Sequence, residues 1–273
     1  MVILYFKYGD HSNRLFQNLH FEAFCLENNI NYINPSFANM QAYYKDPCRL
    51  KDSNRFSLSI QPAVLNFLKR LSNKFKVFPN IIHFDNENTS NAQVLLKAKT
   101  SNIYAGGWYF RNSNLLKKYQ DHFTKKYSLK EDYYSDIELL KTIIDKKNNG
   151  IIVVGVHIRR GDYKTWMSGK YHFEDSVFLD NMRQLQGEIN QQQKETFFII
   201  FSNEQIKIHE NENVAVSKNE WFIDHHLMSC CNYLIGPPST FTLWASYIGK
   251  VPYYQIPNKD AKISLNSFKY CNG

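Results

Sequence analysis

From residue 151 onward the chain alternates short apolar runs with helical periodicities, and that alternation leaves few folds open. Residues 151–156 read Ile-Ile-Val-Val-Gly-Val, a length and composition that suit a strand buried on both faces. Phe178, Met182, Leu185 and Ile189 then recur at three- and four-residue spacings, one face of a helix. Further strands are predicted at 197–201, 214–216, 233–235 and 251–255, with helices at 219–231 and 241–248 between them. Such alternation implies right-handed crossovers and a mainly parallel sheet, hence an α/β fold. Sheets of this kind bind ligands beyond the carboxyl ends of their strands.

The first half follows the same plan less regularly. Residues 2–6 predict a strand and 9–13 a polar turn. Phe16, Leu19, Ala23 and Leu26 mark a helix closed by Asn28-Asn29, and 30–33 another strand. Residues 35–61 are polar and irregular. A helix beginning near Pro62 would carry Val64, Leu65, Leu68 and Leu71. Strands at 81–84 and 103–105 and helices near 113–126 and 136–147 complete this half. Lys146-Lys147-Asn148-Asn149-Gly150 is the expected linker, dividing the 273 residues into domains 1–148 and 149–273.

Composition excludes several classes. The 33 basic and 25 acidic residues give a net charge of +8, which attracts anions of any kind. The lysines fall in mixed runs such as Lys117-Lys118 and Lys125-Lys126, as on a solvated helix face. They are not interleaved with aromatics on one face, so no nucleic-acid partner is expected. No Gly-x-Gly-x-x-Gly follows a strand, against a dinucleotide oxidoreductase. Cys25, Cys48, Cys230, Cys231 and Cys271 are odd in number and lack a Cys-x-x-Cys spacing, so neither a disulfide framework nor a zinc site is expected. The N-terminus does not read as a signal peptide, and the longest apolar runs are too short to span a bilayer. A cytoplasmic protein is expected, with basic helices able to visit the inner face of a membrane.

Three motifs carry chemistry. His157-x-Arg159-Arg160-Gly161-Asp162-Tyr163 follows the 151–156 strand directly. Arginine's planar fork matches phosphate oxygens, and an arginine held where a nucleotide diphosphate departs stabilises the charge that grows on the β-phosphate. Gly236-Pro237-Pro238-Ser239-Thr240-Phe241 is a strand-turn-helix junction. Ser239 or Thr240 can cap the new helix, whose free N–H groups form an anion site. Gly9-Asp10-His11-Ser12-Asn13-Arg14 is a polar segment after the first strand. Adjacent His225 and His226 point in different directions on a helix, against a shared metal ion.

These motifs resemble glycosyltransferase family 11, the bacterial α-1,2-fucosyltransferases, distantly related to protein O-fucosyltransferases and α-1,6-fucosyltransferases. The similarity takes in His157 to Asp162, and Asp224-His225-His226-Leu227-Met228-Ser229-Cys230 leading to Ser239-Thr240-Phe241 and Trp244. It extends more loosely to Gly9, Asn13 and Phe16-Gln17, to 105–110, and to Phe201-Ser202-Asn203. The chain departs from the family pattern at the single Gly9, at Asn203, at Pro238 and at Leu243-Trp244.

The resemblance implies a GT-B-like fold, two Rossmann-like domains facing a cleft, with acceptor bound mainly by 1–148 and nucleotide sugar by 149–273. It implies inverting transfer of fucose from GDP-fucose to an oligosaccharide or glycolipid, with no metal cofactor. Arg159 would hold the β-phosphate, with Arg160 assisting it or bracing the loop. His157 and Asp162 would shape the donor pocket, together with Asn13, Ser202, Asn203, Ser239, Thr240 and Phe241. Asp224 would meet the guanine or stabilise its own helix. Asp10, His11 and Asp162 remain as candidates for the acceptor's general base. A same-fold transferase with another nucleotide sugar, and a non-catalytic glycan binder, are the alternatives.

Overall fold

The structure, a computed structural model, describes residues 1–45, 80–85 and 92–273. The helix expected near Pro62 lies outside the described residues. The chain forms two compact units, Met1–Ser128 with Asn272–Gly273, and Leu129–Cys271.

In the first unit, strands β1 (Val2–Leu4), β2 (Tyr32–Ile33), β3 (Ile81–His83) and β4 (Ile103–Gly106) form a parallel sheet in the order β2-β1-β4-β3. Helix α1 (His11–Glu27) links β1 to β2. Short helices α2 (Ser113–Lys118) and α3 (Gln120–Lys126) follow β4. Of the seventeen residues of α1, thirteen are buried, including Arg14, Gln17, Asn18, His20 and Glu22. Buried polar groups must find partners, and these do. Asn18 donates to Tyr127 Oη at 2.5 Å and accepts from Asn34 at 2.7 Å and Tyr32 at 2.9 Å. Glu22 accepts from Tyr127 and from Lys126. His20 accepts from the Asn112 amide at 3.0 Å, and burial lowers its pKa to about 3, so it stays neutral. Val2, Leu4, Phe21, Phe84, Ile103 and Phe110 fill the apolar side. Leu26, expected on the buried face, is exposed in the last turn of the helix.

In the second unit, β5 (Ile152–Ile158), β6 (Thr196–Ser202), β7 (Val214–Val216), β8 (Tyr233–Gly236) and β9 (Tyr253–Gln255) pair in parallel in the order β7-β6-β5-β8-β9. Helix α5 (Asp175–Gln191) covers one face, packing Phe178, Met182, Leu185 and Ile189 on Val154, Val156 and Ile200. The other face takes α4 (Glu138–Asn148), α6 (Trp221–Ser229) and α7 (Thr240–Gly249), through Leu140, Ile143, Leu227, Met228 and Ala245. Burial of both faces explains why β5 and β6 read as unbroken apolar runs.

The division therefore falls at Ser128/Leu129 instead of 148/149. The run Lys146-Lys147-Asn148 is the last turn of α4, and α4 belongs to the second core through Leu140 and Ile143. Among the described residues, no helix is long and apolar enough to cross a membrane. Cys230 and Cys231 are free thiols.

Candidate active site

In chain order the second sheet runs 3-2-1-4-5, so its winding reverses between β5 and β8. A crevice outside the strand ends at such a reversal is where open α/β sheets bind ligands. Two of the sequence motifs flank it. The segment 157–163 leaves β5, and the turn from Gly236 to Ser239 leaves β8. An added Cβ on Gly236 would stand 3.0 Å from the His157 carbonyl oxygen, so glycine lets the strand ends close up. Tyr163 Oη donates to the Pro238 carbonyl and Tyr253 Oη to the Pro237 carbonyl, at 3.0 Å for the second. The turn is thus fixed from two sides.

Arg159 pairs with Asp162 at 2.8 Å, and its guanidinium lies 5.6 Å from the Tyr163 ring centre. Its side chain remains one-quarter exposed. The Asp162 carboxylate clamps the Arg159 guanidinium in place. Arg160 is turned elsewhere: its guanidinium donates to the Phe173 carbonyl and to Asp175, and it is buried. Asn203 Oδ1 accepts from the Arg160 amide at 2.9 Å, tying the end of β6 to the loop. Of the two roles open to Arg160, the geometry displays the brace.

His157 is buried, with Nδ1 2.7 Å from Thr242 Oγ1. Burial, with Arg159 nearby, lowers its pKa to about 3. It is a neutral packing group beneath the crevice, 5.0 Å centre to centre from Phe241. Phe241 in turn lies 3.9 Å from His225, whereas His226 stacks on Tyr134 at 4.0 Å. The two histidines diverge, and among the described residues no group of three or more His, Cys, Asp or Glu could hold a metal ion.

Ser239 is the N-cap of α7, its hydroxyl accepting from the Phe241 amide at 3.2 Å. Thr240 begins the helix. The remaining first-turn amides and the helix dipole face the crevice end of β8, an arrangement that favours an anion. Ser239→Ala should cost about 1 kcal/mol. In a chain of this size that lowers Tm by about 2–4 °C, measured by calorimetry; an unchanged Tm would mean that the cap contributes nothing.

A cavity of about 350 Å³ opens at the ends of β6 and β7, lined by Ser202, Ile206, Ile208, Val216, Ser217 and Lys218 among others. Small-molecule sites begin at about this size. Behind it Asp224 accepts from Ser217 Oγ at 2.5 Å. Burial raises the Asp224 pKa from 3.8 to about 7, against the pull of Ser217. Between those values the folded chain holds a proton that the unfolded chain has released. This contribution to stability is present below the unfolded value and is lost as pH rises to about 7. Asp224→Asn should therefore gain in Tm relative to the parent as pH rises from about 4 to about 8. The buried histidines lose stability toward acid in both proteins and cancel in the difference. A difference that stays flat with pH contradicts the assignment.

In the first unit the expected polar turn is mostly helix. Asp10 is the N-cap of α1 without a capping side-chain bond, and His11, Ser12 and Asn13 form its first turn. Gly9 has φ +59°, and its Cβ position abuts Asn13. Arg14 is committed to the Ser36 carbonyl at 2.5 Å and Asn39 at 2.6 Å. Burial and Arg14 lower the pKa of His11. That favours a neutral imidazole, able to accept a proton. Sequence reasoning missed Tyr8, which stacks on Trp108 at 4.8 Å and 18°, and Arg111, whose guanidinium carbon sits 3.5 Å from the centre of the Trp108 ring. The aromatic segment at 105–110 was the available signal; its partner lies a hundred residues earlier.

The family description "Glycosyl transferase family 11" matches residues 59–262. The chain belongs to this family. The matched stretch contains the 157–163 segment, Asp224 and the Ser239 cap, and stops short of the Gly9–Asn13 region. A comparison with curated protein sequences finds no match. Among solved structures the family member is similar to an arginine-to-lysine mutant of FUT1 from Arabidopsis thaliana in complex with GDP. The TM-score is 0.54 at 9% identity, covering 98% of this chain and 73% of that one. At that identity the likeness is one of fold, and it agrees with the α/β, GT-B-like class expected from the sequence.

Proposed function

We propose that the chain is an inverting fucosyltransferase, moving L-fucose from GDP-fucose to a glycan hydroxyl, α-1,2 to galactose. One observation carries the reading: Arg159 and the capped start of α7 flank the winding reversal of the second sheet. Family membership and the GDP complex of the fold relative support it.

In this reading the fucose C1–O bond to the β-phosphate breaks as the acceptor oxygen attacks from the opposite face. Negative charge accumulates on the departing GDP, and Arg159 and the α7 amides stabilise it where it develops. They take the place of a metal. Asp162 and Tyr163 hold the Arg159 fork, so little reorganisation accompanies the reaction. The base enters the cavity lined by Ser202 and Ser217, with Asp224 setting the polarity of its wall, and Asn203 and Arg160 keep the loop in place. The first unit binds the acceptor, an oligosaccharide or glycolipid, and Asp10, His11 or Asp162 receives its hydroxyl proton. A cytoplasmic location, with basic helices touching the inner membrane face, belongs to the same reading.

Thermal melts with GDP, GDP-fucose, UDP and ADP test it, because a ligand bound only by the folded chain raises Tm. GDP and GDP-fucose should raise it and UDP and ADP should not. An equal shift with UDP, or none with GDP, removes the GDP-fucose assignment.

A further inference from the structure

The first sheet also has a winding reversal. From β1 the chain moves to β2 on one side, while β4 and β3 lie on the other. Register pairs Leu4 with Ala105, so the segments leaving β1 and β4 rise side by side at the carboxyl edge. Tyr8 stands on the first and Trp108 on the second, stacked at 4.8 Å with an 18° interplanar angle. The Arg111 guanidinium covers Trp108 at 3.5 Å. A group that close fills the indole face it covers, so Tyr8 occupies the opposite face. Tyr8 is 39% exposed, as is the adjacent Tyr109.

The chain holds this arrangement rigidly. Gly107 has φ +105°, and a Cβ there would stand 2.4 Å from the Phe84 carbonyl oxygen, so only glycine turns the chain outward at this point. The Gly107 carbonyl accepts from Gln17 at 3.0 Å, and the Tyr109 amide donates to the Phe84 carbonyl at 3.0 Å. A fixed, partly exposed aromatic stack at the carboxyl edge of a parallel sheet, beside its winding reversal, stands where such sheets bind ligands.

We propose that Tyr8, backed by Trp108 and Arg111, is the platform that receives the apolar face of the acceptor's pyranose ring. The C–H groups on one face of a galactose-type ring carry partial positive charge and meet the electron-rich face of an aromatic ring. Its hydroxyls then point away from the ring toward polar neighbours, which Asp10 and His11 supply at the start of α1. The inference rests on the reading of the chain as a sugar-transferring enzyme and adds the residues that select the acceptor.

The test is capture of glycans from an array of terminal galactosides by the full chain in the presence of GDP, with Tyr8→Ala and Tyr8→Phe beside the parent. GDP affinity is measured separately by calorimetry. Tyr8 is exposed, so neither substitution threatens the fold. The expected result is about a tenfold loss of galactoside affinity in Tyr8→Ala, near-parental binding in Tyr8→Phe, and unchanged GDP affinity. Equal galactoside binding by parent and Tyr8→Ala overturns the platform, as does a parent that binds GDP and no galactoside. Loss of GDP affinity in Tyr8→Ala assigns the platform to the nucleobase and overturns it too. A parent that binds neither ligand defeats the proposed function itself.

Discussion

Arg159→Ala is expected to lower fucosyl turnover by about a hundredfold to a thousandfold, the usual effect of removing one fixed donor from a developing anion. The side chain emerges from β5 at the reversal point, is one-quarter exposed, and is held by Asp162 at 2.8 Å. Its loss removes charge stabilisation and leaves the core untouched, so Tm without ligand should change little. Arg159→Lys should recover only part of the activity, because an ammonium cannot reproduce the planar two-point contact. Single-turnover rates with GDP-fucose separate this effect from weaker donor binding. A kcat within about threefold of the parent would exclude Arg159 from the transition state.

The neighbouring arginine should behave in the opposite way. Arg160→Ala strands the largely buried carboxylate of Asp175 and leaves the Phe173 carbonyl without its donor. Stranding one partner of a buried pair costs about 3–5 kcal/mol. The lower end applies here, because Asp175 keeps the Lys207 amide as a donor at 2.7 Å. The variant should melt roughly 6–12 °C lower, and GDP binding should persist below its melting point. A Tm equal to the parent's, with donor binding abolished, would return Arg160 to the diphosphate. Two adjacent arginines that look alike in the sequence thus divide between chemistry and architecture, because just past the end of β5 the chain turns and only Arg160 reaches Phe173 and Asp175.

That division shows where sequence reading stops. The strands of the second unit were legible because burial on both faces leaves unbroken apolar runs, as in β5 and β6. The Ser239 cap was legible because capping is local chemistry, settled within three residues. The role of Arg160 depends on Phe173 and Asp175, thirteen and fifteen residues away across a loop. The cavity behind Ser202 and Ser217 depends on how β6 and β7 end together. The unit boundary was misread because a lysine-asparagine-glycine run ends a helix as readily as it makes a linker. In α1 the apolar spacing marked the helix but not the buried network that Glu22 and Asn18 form with Tyr127, more than a hundred residues away in sequence.

The central claim is transfer of fucose from GDP-fucose. Its most direct measurement is a proton NMR spectrum of the full chain incubated with GDP-fucose and a terminal β-galactoside, with no added metal and with chelator present. Consumption of GDP-fucose, release of GDP, and one new fucosyl anomeric signal of inverted configuration correlated to galactose C2 are expected. GDP-fucose left intact while another nucleotide sugar is consumed would contradict it, and so would a product that retains the donor's configuration.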